Sequence, residues 1–391
     1  MSNRIRAGLI GTGFMGAVHA RAIRALGVDL VAVSSSTPAS AHRGAVELGA
    51  MDSVSSADAL LERKDIDVVH ICVPNHLHSQ FASEAIRQGL HVVCEKPIAT
   101  SFSDAADMLS EAADRKVVAA VPFVYRYYSS VREARRRVVQ GEVGRVHAIH
   151  GSYLQDWLAS ADDTNWRAVS SLGGASRAFA DIGVHWCDLA EFVTGQRIVE
   201  VCARTSQVYE FRGSPREPVD TEDIAIVQFQ TDGGAVGSVV VSQVSPGRKN
   251  QLRLSVDGSD ESVIFDQESP DTLEVASRSH SLLIRRGNGD STIGAPYSIL
   301  PPGHPQGYQE SFNAFVSDVY DAIGGKVVDG LPTFVDGARA SLITDCVLES
   351  AEKGIWVTVP MIIADTKTLD SNPSTKFDGN PTPVKKVFDA S

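Results

Sequence analysis

RIRAGLIGTGFMGAVHARAIRALG, residues 4–27, joins an apolar run at 4–10 to G-x-G-x-x-G at 11–16 and a helical pattern over 14–26 that stops at Gly27. A glycine motif of this kind is weak evidence alone. Here it follows a strand and opens a helix, which is the context of dinucleotide binding. Gly11 permits the tight turn. Gly13 lets the backbone approach a pyrophosphate resting on the free N–H groups of the helix N-terminus, and Gly16 allows close helix–strand packing. Phe14 and Met15 lie between these glycines and count with them as cofactor contacts.

An NAD site usually places Asp or Glu at the end of the second strand, and an NADP site an Arg nearby. This chain has Ser34-Ser35-Ser36-Thr37 after the run 28–33, with Arg43 the nearest downstream cation. Ser34 and Ser35 are the candidate ribose contacts. Their hydroxyls suit a ribose or a phosphate, so NAD and NADP both stay open.

Outward from the motif, strand and helix patterns alternate. Helices are expected near 38–48, 56–62, 77–88 and 103–115, and strands at 66–73, 91–95 and 117–121. Short continuous apolar strands between helices argue a doubly wound parallel sheet covered on both faces. After Val121-Pro122 the texture changes. A charged helix (129–140) precedes longer alternating strands at 145–153, 198–209, 223–230, 234–244, 250–257 and 262–266, with helices returning at 307–324 and 335–353. The expected fold class is α/β, with an α+β second domain on a large, mostly antiparallel sheet. The expected division is 1–122, 123–364 and an aperiodic tail at 365–391.

Composition narrows the partners. The 391 residues carry 36 Lys and Arg against 48 Asp and Glu, a net charge of −12. Such a chain repels phosphate backbones, so nucleic acid is not an expected partner. The one basic cluster (Arg132, Arg135, Arg136, Arg137) reads as a solvated helix face. No stretch is long and apolar enough to span a membrane, and the N-terminus lacks a signal-peptide pattern. Five scattered cysteines without C-x-x-C spacing fit neither zinc nor a disulfide framework, and a cytoplasmic location is the expectation.

Two constellations carry chemistry. Cys94-Glu95-Lys96-Pro97 ends the fifth strand, and ligands bind at the carboxyl ends of such strands. Glu95 and Lys96 therefore face the cofactor edge. Asp181 and His185 lie four apart in ADIGVHWCD (180–188) and share a face if helical. An imidazole suits proton transfer near neutral pH, so His185 is the candidate base, with Lys96 on the reacting oxygen and Asp181 beside both. Val73, Pro74, Asn75 and His78 follow strand four and border the cofactor, Asn75 serving as helix cap. His76 and His78 lack a third ligand, and no metal is expected. Trp166-Arg167 is a loop pair suited to the nicotinamide side. Tyr128, Gln155, Trp157, Arg177 and His304 are candidate sugar contacts; aromatic packing, a salt bridge and loop structure are the alternatives for Trp157, Arg177 and His304.

With GTGFMG at 11–16, VPNHLH at 73–78, CEKP at 94–97 and ADIGVHWCD at 180–188, the chain resembles the glucose–fructose oxidoreductase / inositol dehydrogenase family up to about residue 360. The resemblance implies an N-terminal Rossmann domain, a C-terminal open sheet that often forms the oligomer interface (a homodimer or homotetramer), and oxidation of a sugar or polyol carbon. It maps the family's lysine onto Lys96 and its D-x-x-x-H pair onto Asp181 and His185. It leans toward NAD and, within the family, toward C3 of an anhydrosugar or related pyranoside. Inositol or another sugar, a non-catalytic dinucleotide sensor, and an enzyme that retains its nucleotide and swaps hydride between sugars are the competing readings.

Overall fold

The computed structural model describes residues 5–287 and 297–362. The tail expected at 365–391 lies outside the described residues.

The first lobe runs β1 (Arg6–Ile10), α1 (Phe14–Ala25), β2 (Asp29–Ser34), α2 (Pro38–Leu48), β3 (Asp52–Ser53), α3 (Ala57–Leu61), β4 (Val68–Ile71), α4 (His78–Arg87), β5 (His91–Cys94), α5 (Phe102–Arg115) and β6 (Ala119–Ala120). Its sheet has the order β3-β2-β1-β4-β5-β6, all parallel. The near-continuous burial of β1, β2 and β4 is what helices on both faces require. Thr37 caps α2 through Ser40, which commits that hydroxyl to the fold.

The remainder contains α6 (Ser129–Val139), β7 (Val146–Leu154), α7 (Ser170–Gly173), α8 (Val184–Thr194), β8 (Ile198–Ser206), β9 (Phe211–Arg212), β10 (Glu217–Pro218), β11 (Ile224–Thr231), β12 (Val236–Ser242), β13 (Gln251–Gly258), β14 (Ser262–Asp266), β15 (Thr272–Ala276), β16 (Ser281–Arg285), α9 (Tyr308–Ile323), α10 (Phe334–Lys353) and β17 (Val357–Thr358). The large sheet has the order β16-β15-β14-β13-β7-β12-β11-β8-β17. It is antiparallel except where β12 runs beside β7. The sequence reading missed β15 and β16, which lack a long alternating run. Along β11, Ala225, Val227 and Phe229 are buried, while Ile226, Gln228 and Gln230 face out. Trp186 of α8 packs on Phe229 and donates its indole N–H to Arg253 O at 2.8 Å, fixing the helix to the covered face.

The late helices return to the first lobe. α9 lies on α1, sharing a core with Val18 and Ile23, and α10 lies on α5. Residue 120 of β6 also bridges Thr333.

The basic cluster on α6 is not a solvated face. Arg132 is 1% exposed, its guanidinium against the rings of Tyr127, Phe192 and Tyr297. Arg136 pairs with Glu133 at 2.7 Å and Glu142 at 2.6 Å, and Arg137 with Glu261 at 3.0 Å. A planar guanidinium stacks on aromatics, and its stem packs as an apolar chain, so helical charge spacing alone did not separate the two cases.

Candidate active site

The glycine turn has the geometry a dinucleotide needs. Gly11 has φ +97°, and a Cβ there would lie 2.5 Å from Cys72 O. A Cβ on Gly16 would lie 2.1 Å from Gly11 O, so strand turn and helix touch through backbone alone. A Cβ on Gly13 would meet nothing within 4 Å. The N-terminus of α1 has no side-chain cap and no acid in its first turn. Open space above uncapped N–H groups fits a pyrophosphate. Phe14 is 78% exposed at this edge, and Met15 packs partly against the core. Ser34 is fully buried with an unpartnered hydroxyl, whereas Ser35 accepts from Thr12 Oγ1 at 3.0 Å.

Several strand-end residues are committed to structure. Asn75 does not cap a helix; a short 3-10 turn starts there, and its amide donates to Gly173 O at 2.8 Å. That bond ties the first lobe to the segment before Asp181. His78 lies buried between Pro97 O at 2.7 Å and Val73 O at 2.8 Å, joining the ends of β4 and β5 rather than facing a ligand. His76 meets Leu172 O at 3.2 Å. Pro74 stands at the start of the 3-10 turn. Glu95 turns its carboxylate inward, onto His19 at 3.1 Å and its neighbour's backbone N–H at 3.2 Å.

Lys96 and Asp181 meet. Nζ lies 2.6 Å from Oδ1 of the carboxylate and donates to the Asp181 carbonyl at 2.6 Å as well. Asp181 sits in a π-helical turn (Phe179–Gly183) that runs into α8, where the spacing predicted an ordinary helix. A carboxylate starts this segment: Glu222 accepts from Ser176 Oγ at 2.7 Å and from the N–H groups of Arg177 at 3.0 Å and Phe179 at 2.9 Å. Anions favour a helix N-terminus, so Glu222 anchors the turn that carries Asp181. Arg167 brings its Nε to 3.3 Å from Asp181 Oδ1 while lying over the Trp166 ring, so it joins the Lys96–Asp181 pair directly. Gln243, just past β12, donates Nε2–H to Asp181 Oδ2 at 2.7 Å, and its buried Oε1 has no partner among the described residues.

Electrostatics assign the protonation states. Burial opposes ionisation of Asp181, but the Lys96 and Arg167 cations overcome it and hold the carboxyl well below the usual carboxylate range. Burial and then the Lys96 ammonium push His185 well below its ordinary value, with Asp181 pulling the other way. His185 is therefore neutral near pH 7, although its environment is far from the unperturbed one expected from sequence. Its Nδ1 is enclosed without a partner, which leaves Nε2 as the reachable nitrogen. Phe123 and Tyr125 meet the imidazole edge-on at 5.5 and 5.2 Å.

Beside His185 runs a hydrogen-bonded wall. Tyr153 and Gln155 both donate to Asn250 Oδ1 at 2.7 Å, Trp157 donates to Gln155 Oε1 at 2.7 Å, and Tyr125 bonds Tyr153. Gln155 and Trp157 are thus tied to the His185 wall through Asn250 and Tyr153. Tyr128 lies one layer behind, buried and stacked on Tyr125 at 6.1 Å. Arg177 does not reach it: the guanidinium is 1% exposed and paired with Asp223, which also holds Arg212 at 2.6 Å. The salt-bridge alternative holds there, because a buried pair leaves no room for a sugar. His304 is exposed, with Nδ1 3.3 Å from Pro301 O, and makes no contact with the cluster. Gln243, Tyr125, Tyr153 and Asn250 were missed. They sit at strand ends and turns without a motif, and only the strand-end rule pointed toward Gln243.

Fold and site together define an NAD-binding oxidoreductase. Residues 5–123 match the oxidoreductase family with an NAD-binding Rossmann fold, and residues 131–264 match the GFO/IDH/MocA C-terminal domain. Levoglucosan dehydrogenase of Pseudarthrobacter phenanthrenivorans is 32% identical over 92% of this chain and 99% of its own. Inositol 2-dehydrogenase of Rhizobium meliloti is 25% identical over 89% and 98%. A solved levoglucosan dehydrogenase in complex with NADH and levoglucosan superposes with a TM-score of 0.87 at 32% identity, covering 92% of this chain and all of that one. The chain belongs to the GFO/IDH/MocA family, whose relatives here are sugar and polyol dehydrogenases. No helix among the described residues is long and apolar enough to cross a membrane.

Proposed function

We propose that this protein oxidises a secondary hydroxyl of a pyranose to a ketone with NAD, and that C3 of levoglucosan or a closely related pyranoside is the carbon attacked. The observation that carries the reading is the Lys96–Asp181 contact at 2.6 Å beside a neutral imidazole, at the carboxyl edge of a dinucleotide fold. The levoglucosan likeness at 32% identity supports the substrate.

When bound, the dinucleotide supplies an acceptor for the hydride leaving the carbinol carbon. The Gly11–Gly16 turn would hold its pyrophosphate, with Val73 and Pro74 at the rim and Ser35 toward the ribose. Lys96 donates a hydrogen bond to the reacting oxygen. His185 takes the hydroxyl proton at Nε2. Asp181 holds the Lys96 ammonium in place and stabilises the imidazolium that forms. Arg167 and Gln243 fix the Asp181 carboxylate so that little reorganisation accompanies the transfer. Gln155 and Trp157 orient the sugar, with Asn250 bracing them.

Exposed Ile226, Val236 and Val240 on the open face of the large sheet suit pairing with a second copy of the chain, as dimer or tetramer. Five free cysteines suit a reducing cytoplasm. The test is a screen of NAD and NADP against levoglucosan, inositols, glucose and other pyranoses, following reduced nicotinamide, with the oxidised carbon read from the product's NMR spectrum. Reduction of NAD by levoglucosan to the 3-keto product is the expected outcome. Turnover confined to inositols would move the assignment, and tight NADH binding without turnover on any polyol would replace it with a sensor.

A further inference from the structure

A buried polar chain lies beneath the strand end that carries Lys96, and the chemistry above makes no use of it. Glu95 Oε1 meets His19 Nε2 at 3.1 Å, His19 Nδ1 meets His70 Nδ1 at 2.8 Å, and His70 Nε2 meets the Tyr320 hydroxyl at 2.9 Å. The other Glu95 oxygen accepts the backbone N–H of Lys96 at 3.2 Å. These groups come from α1, β4, the end of β5 and α9, and both imidazoles are fully buried. Phe312 packs on His19 at 4.6 Å, so the surroundings are apolar. Buried polar groups cost free energy unless each is matched, and apolar side chains would fill the same space more cheaply.

The contacts also order the protons. Burial, with His19 adding to it, holds His70 well below the ordinary imidazole range, so His70 carries a single ring proton. Burial opposes ionisation of Glu95, but the His19 hydrogen bond keeps its carboxyl below the usual range. An ionised carboxylate only accepts, so His19 Nε2–H donates to Glu95. The Nδ1 atoms of His19 and His70 share one hydrogen bond and His70 Nε2 shares another with the Tyr320 hydroxyl, so the chain ends on Glu95.

We propose that Glu95, oriented by His19, His70 and Tyr320, is a positioning residue for Lys96. It grips the Lys96 backbone N–H from the first lobe, while Asp181 grips the Lys96 ammonium from the second at 2.6 Å. The direction in which the strand end projects its side chain is then fixed from both sides. The role rests on the function proposed above.

The test uses the full-length protein. Glutamine has a single acceptor oxygen and cannot serve both His19 and the Lys96 N–H. Glu95→Gln is therefore expected to lower kcat about tenfold or more, since small misplacement of a reacting group is costly. The sugar KM and NADH affinity should hold, and deuterium at the carbinol carbon should slow kcat more than in the parent. Glu95→Asp should regain part of the loss. Tyr320→Phe, which keeps the ring and touches nothing in the site, should give a smaller fall of the same kind. Nitrogen-15 histidine spectra should show His19 Nε2 carrying the proton that bonds Glu95, and His70 carrying a single ring proton. Unchanged kcat in both Glu95→Gln and Tyr320→Phe, or His19 protonated on Nδ1 alone, overturns the proposal. Should the unaltered protein oxidise no sugar, the proposed activity falls, whereas the tautomers and the Lys96 amide shift in Glu95→Gln still judge the chain.

Discussion

Asp181→Asn separates a charge-holding role for this residue from a merely space-filling one. The carboxylate accepts from Lys96 at 2.6 Å and Gln243 at 2.7 Å, and forms an ion pair with Arg167 at 3.3 Å. An asparagine keeps one oxygen, which stays on Lys96. Its amide N–H₂ then faces Gln243 Nε2, but Gln243 can turn over and present the Oε1 that now has no partner. The Gln243 contact survives the change. The charge does not: the Lys96 bond falls from charge-assisted to ordinary, and the Arg167 ion pair is lost. At ~1–1.5 kcal/mol lost for each, the variant forfeits about 2–3 kcal/mol, or ~30–200-fold in kcat. His185 moves in the same direction, because Asp181 is the neighbour that favours its protonated form. The assay is steady-state NAD reduction with saturating sugar, alongside NADH titration and thermal melting as controls. A folded, NADH-binding Asp181→Asn protein whose kcat lies within about threefold of the parent would falsify the role, since a barrier change of ~0.7 kcal/mol is too small for the lost charge.

Gly13→Ala should fold normally, because its Cβ meets nothing within 4 Å, yet raise the Kd for NADH about tenfold or more by filling the pyrophosphate space. Gly16→Ala should instead lower the melting temperature, since its Cβ would lie 2.1 Å from Gly11 O; equal melting of the two variants would refute the distinction. Arg177→Met should cost about 3 kcal/mol in denaturant unfolding by stranding part of the Asp223 charge, while kcat of the folded protein is unchanged; a pure rise in sugar KM would return Arg177 to the substrate site. Stability should fall as pH drops below ~6.5, because the unfolded chain protonates His70 and His185 while the folded one keeps them neutral, a slope of about 2.7 kcal/mol per pH unit for the two together; a stability flat between pH 7 and pH 5 would contradict their burial as neutral rings.

The first lobe was legible because parallel strands buried on both faces read as unbroken apolar runs, and because the glycine turn must leave backbone bare for function. Lys96 was legible by position, since a strand end in such a sheet points at the ligand. Asp181 and His185 were legible as a pair, but not the π-turn beneath them: Glu222 starts that turn from 41 positions downstream of Asp181, and no local pattern carries a contact of that reach. Arg177 and Arg132 went astray for one reason. The sequence around an arginine does not reveal whether an acid or an aromatic ring waits on the other side, and Asp223 and Phe192 do. Gln243 and Asn250 were illegible because a lone amide at a strand end has no sequence mark until the fold turns it toward a carboxylate.

The site joins groups from two sheets, so its precision depends on what holds the lobes together. Lys96 comes from the parallel sheet, and Asp181, His185 and Gln243 from the segments around the large one. Asn75 crosses to Gly173 at 2.8 Å, Arg126 of the connecting turn clamps Asp188 of α8 at 2.8 Å and Asp336 of α10 at 2.8 Å, and α9 and α10 fold back onto α1 and α5. A hinge between lobes would have to break a buried guanidinium pair and an apolar seam at once, at a cost of several kcal/mol. The Lys96–Asp181 contact therefore forms before any sugar arrives. Binding energy need not be spent on closing the lobes and remains available to the transition state, which is where it accelerates hydride transfer.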